Sequence, residues 1–203
     1  MRFGLMAVGM AVLMVSGCLG SDLSGENAKL SAPSGLTLPL PARAMIYMSQ
    51  RDLDRPLIIE ATHFRNEETT TKDGRALERA ARDVLGQAFS TVDVNNTAMP
   101  PQLVVKVLGT PKFSRLDNVM KIGCAIDLLQ ADGSVLGSFV ARYDSKTGVE
   151  YKDALEPAYR LCLKSAADQM LVSPAVTKYA KTGFPEPNPA GYRSYMESLG
   201  LRP

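Results

Sequence analysis

The chain has 203 residues, 45% of them hydrophobic, with 23 Lys+Arg against 21 Asp+Glu and a single histidine. So balanced a charge lacks the basic stripe of a nucleic-acid binder, and one histidine excludes a histidine-rich metal centre or a paired-histidine mechanism. Length fits one domain with tails, since a domain commonly takes about 100–150 residues, and the absence of Trp speaks against a carbohydrate-stacking platform.

Arg2 supplies one positive charge, and Phe3 to Val15 is an uninterrupted apolar and glycine run. At about 13 residues it falls short of the ~20 that a membrane-spanning helix needs. It suits the core of a secretory signal peptide, which ends in small residues at the cleavage site. Here the small residues are Ser16 and Gly17, followed at once by Cys18. Val15-Ser16-Gly17-Cys18 resembles the lipobox of bacterial lipoproteins, in which the cysteine thiol takes a diacylglycerol and the signal peptidase cuts on its N-terminal side. The resemblance implies a signal peptide over residues 1–17 and a durable membrane anchor on Cys18, because two or more acyl chains hold stably where one does not. Leu19 in place of Asp carries no inner-membrane retention signal, which favours the outer membrane with the domain facing the periplasm.

Residues 18–41 are rich in Ser, Gly and Pro with no apolar period, and read as a tether. A flexible segment of that length spans roughly 25 Å root-mean-square, from about 5–6 Å times the square root of residue number. A globular domain is expected over 42–173, with order from near Ala44. Met45 to Ser49 and Leu57 to Thr62 are short β-prone runs, parted by the polar stretch Gln50 to Pro56; Arg65 to Lys72 reads as a polar loop. Leu77, Ala81, Val84, Leu85 and Ala88 then recur at helical spacing, placing one stripe against a core, with Thr71 or Asp73 as the expected N-cap. Val92 and Val94 read as a brief strand before an Asn95-Asn96 turn.

Leu103 to Leu108, Val119 to Leu129 and Val135 to Tyr143 are three strands in succession. Asp132-Gly133 between the last two is a hairpin signal, because both turn residues tolerate positive φ. In the middle strand Met120, Ile122, Cys124, Ile126 and Leu128 alternate onto one face and Lys121 and Asp127 onto the other. A second helix follows from Asp153, with Glu156 at capping-box spacing and Pro157 tolerated in the first turn. Its apolar side is Leu155, Tyr159, Cys162, Leu163, Ala166 and Met170. The reading is therefore α+β: an antiparallel sheet, made of a three-stranded meander plus N-terminal strands, with two amphipathic helices packed on one face.

That order resembles small envelope lipoproteins built as two-layer α+β sandwiches. These include auxiliary lipoproteins of lipid transporters, the lipopolysaccharide-assembly lipoprotein, and an uncharacterised outer-membrane group similar over Gly74 to Val94. The likeness runs over roughly Ala44 to Ser173 and is architectural; function does not follow from fold alone.

No set of residues assembles a catalytic site. His63 lies at a strand end with no activating partner nearby in sequence. Lys146-Thr147-Gly148 and Lys181-Thr182-Gly183 match one element of penicillin-recognising serine enzymes, but no serine has the lysine three residues later that those enzymes need. Asp52 and Asp54 flank Leu53 in a polar connection and read as a solvated turn rather than a metal pair. No cofactor or metal is expected.

Cys124 and Cys162 sit on the buried faces of a strand and a helix, and two arrangements stay open: a disulfide, or separate thiols acting as small hydrophobes. The segment 174–203 carries Tyr179, Phe184, Tyr192 and Tyr195 among five prolines, and Asn188-Pro189 starts a short helix presenting Tyr192, Tyr195, Met196 and Leu199. These aromatics suit docking on a partner or folding back over their own domain; the second is preferred because exposed apolar patches are costly in a free monomer. The function expected is a non-enzymatic accessory or assembly component of a cell-envelope complex, held by its lipid and touching an envelope protein or its own copies, with no nucleic acid. The alternative is a lipid or amphiphile binder using an adaptable pocket lined by Met45, Met48, Met120 and Met170. A hydrolase ranks last for want of a nucleophile and base.

Overall fold

The computed structural model describes residues 28–62, 65–146 and 151–201. Along the chain these form β1 (Leu40–Tyr47), α1 (Gln50–Leu53), β2 (Pro56–Thr62), β3 (Arg65–Lys72), α2 (Asp73–Ala88), β4 (Phe89–Val94), β5 (Leu103–Ser114), β6 (Val119–Gln130), β7 (Val135–Lys146), α3 (Tyr151–Leu171), α4 (Pro174–Thr182) and α5 (Pro189–Ser198).

Strand β5 organises the sheet. One of its edges pairs with β6 from end to end, antiparallel, and β6 pairs in turn with β7. Its other edge is shared: β1 runs parallel to it at Leu103–Lys106, and β2 runs parallel to it at Phe113–Ser114. Beyond β1 lies β4, parallel, and beyond β2 lies β3, antiparallel. The sheet therefore forks, with the middle of β5 facing the gap between the two prongs.

This corrects the expected antiparallel sheet, since the seven strands make a mixed one. The reason is connectivity: β1 reaches its neighbours β4 and β5 by way of α2, and a crossover of that kind returns the chain in the same direction. Local patterning reports which residues face a core, not which distant strand lies beside them. The segment expected to be a polar loop is also strand β3. Its sequence Arg-Asn-Glu-Glu-Thr-Thr-Thr-Lys has no apolar alternation because the strand lies at the sheet edge and leaves its residues largely exposed. Charged edges discourage pairing with other chains.

Alternation does place the meander. Met120, Ile122, Cys124, Ile126 and Leu128 are all buried under the helices, as are Leu103, Val105 and Val107 from β5. The stripe of α2 (Leu77, Ala81, Val84, Leu85, Ala88) and that of α3 (Leu155, Tyr159, Cys162, Leu163, Ala166, Met170) meet them, and each such side chain is fully enclosed. Burying a Leu, Ile or Met contributes about 1.5–3 kcal/mol, so this layer carries most of the fold. The β6–β7 hairpin closes as its sequence requires: Gly133 takes φ 88° while Gln130 accepts a hydrogen bond from its N–H.

Three details differ from expectation at the termini of elements. Ordered packing begins before Ala44: Ala28 is buried, Leu30 packs on the core, and the Gln87 side chain accepts from the Leu30 N–H while donating to the Ala28 carbonyl. Lys72, not Thr71 or Asp73, is the N-cap of α2, and it makes no side-chain cap. Glu156 does not close a capping box; it holds Arg79 of α2 and Arg160 of its own helix.

Besides the expected pair, a short helix α1 forms in the stretch read as polar, and the C-terminal arm carries α4, not expected, and α5, which starts at Asn188-Pro189 as read. Ser173 caps α4, accepting from the Val176 N–H, and Asn188 caps α5, accepting from the Gly191 N–H. Whereas α2 and α3 cover one face of the sheet, α5 crosses to the other. There Tyr192 and Met196 join Met45, Val104, Leu129 and Ala131 in a second, smaller core.

Candidate functional site

Two places gather chemistry, the fork in the sheet and the face beneath α5. At the fork, Arg55 leaves the turn after α1 and donates from Nη2 to the carbonyl of Gly109 at 2.7 Å, satisfying a β5 acceptor in the gap between the prongs. Its Nε donates to Asp73 Oδ2 at 2.7 Å, and the hydroxyl of Tyr159 donates to Asp73 Oδ1 at 2.5 Å. Asp73 is 0% exposed, and the Arg55 side chain 32%. Burial pushes the Asp73 carboxyl above its ordinary range, against the opposing pull of Tyr159 and Arg55. Burial acts on Arg55 in the downward direction, but Asp73 outweighs it and the guanidinium is held more firmly protonated. Burial first, and then the Asp73 charge, push the Tyr159 phenol well up. Gly109 is required at this point, since a Cβ there would stand 2.6 Å from the Tyr159 ring.

Both carboxylate oxygens of Asp73 are thus engaged and enclosed. A general base needs a lone pair within reach of a substrate proton, and this group offers none. The triad acts as a lock that joins α2, α3, β5 and the segment entering β2.

The second place is the sheet face opposite α2 and α3. Its lower half lies under α5, where the Tyr192 hydroxyl donates to the Asn96 carbonyl at 3.2 Å and the Tyr195 ring rests against Gly133. Lys106 Nζ stands 5.4 Å from the centre of the Tyr195 ring and 6.0 Å from that of Tyr47, a cation held over aromatic faces. The upper half has no cover among the described residues. Leu108 is 48% exposed there and Val140 60%. They stand on either side of Ala125, to which both are paired in register.

Of the residues singled out from sequence, Cys18, His63 and the Thr147-Gly148 part of the first Lys-Thr-Gly run lie outside the described residues. Cys124 and Cys162 are joined in a disulfide that ties β6 to α3, with Cα atoms 6.0 Å apart. Asp52 accepts from the Ser49 hydroxyl at 2.6 Å and Asp54 from Gln50, so both serve the short helix α1. Among the described residues no group of three or more His, Cys, Asp or Glu could hold a metal.

The four aromatics of the arm are not gathered outward. Tyr192 is buried, Tyr195 half-buried, Tyr179 accepts from Gln130 Nε2 at 3.1 Å, and Phe184 packs 5.8 Å from the Tyr179 ring. The four methionines of the expected pocket are all buried and split by the sheet, Met45 on the α5 side and Met48, Met120 and Met170 in the main core. Sequence reasoning passed over Arg55 and Asp73. The one signal for them was Gly109, a lone glycine inside a strand, which marks a close approach by another group.

No family model and no curated protein matches the chain. Among solved structures, protein XCC0632 of Xanthomonas campestris, from the family DUF330, superposes with a TM-score of 0.51 at 10% identity, over 75% of this chain and 94% of that one. PelC of Paraburkholderia phytofirmans, described as a dodecamer, gives 0.42 at 14% identity over 66% and 92%. Uncharacterised lipoprotein B of Nitrosomonas europaea gives 0.26 at 12% over 89% and 94%. The first likeness is one of fold, and the other two fall short of a shared fold.

Proposed function

We propose that this protein is a lipid-anchored, non-enzymatic accessory or assembly component of a cell-envelope complex, attached through Cys18 to the outer membrane with its domain in the periplasm. The observation that carries this reading is the half-covered sheet face. One half is sealed by the chain's own helix, while the other presents Leu108 and Val140 to solvent. Exposed apolar area rimmed by polar groups marks sites that bind a protein, a membrane or a ligand. The anchor part of the reading rests on the order basic residue, apolar run, small pair and cysteine at the N-terminus. No helix among the described residues is long and apolar enough to cross a membrane, so attachment by lipid and attachment by a described helix are distinct.

Two measurements test the proposal. Labelled palmitate supplied to growing cells is expected to enter the protein and to be lost in Cys18→Ala. Amine crosslinking of the tagged full chain in cells, followed by mild detergent extraction, is expected to yield one defined envelope protein or a homo-oligomer. A lone monomer under these conditions would count against an accessory role and bring a ligand search forward.

A further inference from the structure

We infer that the uncovered half of the second sheet face is a groove for one amphipathic helix of a protein partner, with an acidic flank. The inference deepens the accessory role proposed above and rests on it.

The register writes the groove out row by row. Across β5, β6 and β7 stand Leu108–Ala125–Val140, then Thr110–Gly123–Arg142, then Lys112–Lys121–Asp144. The central strand thus contributes the small residues Ala125 and Gly123, with the Thr110 hydroxyl lying over Gly123, and the flanking strands contribute larger side chains. Two strand spacings make about 10 Å, and a helix with its side chains is about 10–12 Å across. The same face already accepts a helix further along: α5 lies over Val104, Leu129 and Ala131, one row, Lys106–Asp127–Ser138, away from Leu108–Ala125–Val140. The open half continues that seat along the same strands.

Charge selects the occupant. Lys112 and Lys121 are directly opposite one another in the β5–β6 ladder, and like charges so placed destabilise a sheet. Lys112 is answered by Glu60 at 3.1 Å. Lys121 and Arg142 form no ion pair among the described residues, although Asp144 stands in register with Lys121. The patch therefore carries three cations, Lys112, Lys121 and Arg142, against the two carboxylates of Glu60 and Asp144, and its excess charge is positive. A helix whose apolar stripe meets Leu108 and Val140, and whose Asp or Glu residues meet Lys121 and Arg142, satisfies both features.

The test uses the full-length chain in its own cells, with a photo-reactive benzophenone residue placed at Val140 and, for comparison, at Arg82 on the outer side of α2. Crosslinking from Val140 is expected to capture one protein through a peptide that mass spectrometry shows to have apolar residues at helical spacing and an excess of Asp and Glu. Lys121→Glu combined with Arg142→Glu should lower that yield about tenfold, as reversal of opposing rim charges does, with the thermal midpoint unchanged. Capture of a second copy, of lipid, or of a peptide without that pattern overturns the inference, as does no capture from Val140. If a partner is caught from Arg82 alone, the groove is wrong while the accessory role stands. If neither position nor amine crosslinking finds a protein, the accessory role falls with it.

Discussion

The two faces of the sheet differ in how they are closed. On the face under α2 and α3, apolar residues from six strands and from both helices interlock. A disulfide and the Arg55–Asp73–Tyr159 lock then fasten the layers together. On the other face four buried residues hold the Tyr192 and Met196 side chains of one ten-residue helix, and the rest lies open. Stability and exchange are thereby assigned to opposite sides of the same strands. A helix seated on so small a core has a low local opening energy, whereas the main layer opens only with the whole domain.

Perturbations should separate the faces, and the largest effects belong to the closed one. Asp73→Ala is expected to cost about 3–5 kcal/mol, because it takes from Arg55 its paired carboxylate and leaves the buried Tyr159 hydroxyl without an acceptor; urea unfolding measures it. The intact pair contributes little net stability, since burial pushes Asp73 up, but half of it is worse than none. Cys162→Ser should cost about 3–4 kcal/mol on the chain-entropy account of a loop this long. Reductant added to the parent protein should reproduce the loss, and leave the variant unmoved.

Tyr159→Phe should cost about 1.5–3 kcal/mol, the worth of a hydrogen bond to a charged group. It also has a pH signature. Because the folded state holds this phenol above its ordinary value of about 10, the unfolded chain ionises first and stability falls as pH rises past that point. Removing the hydroxyl should flatten that alkaline fall, leaving the share owed to buried Tyr192, whose phenol burial also raises. An alkaline limb of unchanged slope would contradict the assignment.

The open face should respond differently. Tyr192→Ala is expected to undock α5 with little movement of the main unfolding transition, seen as faster amide hydrogen exchange confined to Pro189–Ser198. If the whole domain loses several kcal/mol instead, the two faces are one cooperative unit. Smallest of all, Lys121→Glu should change stability by no more than about 0.5 kcal/mol, as surface substitutions usually do.

What the sequence made legible follows from what each segment touches. The meander announces itself because β6 buries alternate residues, and α2 and α3 because each has one enclosed stripe. Asn188 was readable as a cap because its side chain serves its own helix, accepting from Gly191 two residues into it. Strand β3 was hidden because an edge strand with two largely exposed faces has no pattern to show. The parallel pairing of β1 was hidden because its partners lie far along the chain. Arg55 read as part of a polar stretch and Asp73 as a helix cap, since 18 residues separate two groups that only the fork brings together.

The clamp of Gln87 on residues 28 and 30 has a geometric consequence. On the proposed lipidation of Cys18, only nine residues lie between the anchor and Ala28, and ten steps of about 3.3–3.6 Å reach no further than about 35 Å. The chain enters against α2, close to Asp83 and Arg160. The leash is therefore fastened to the helical side, and a taut one turns that side toward the lipid and lifts the grooved side away from it.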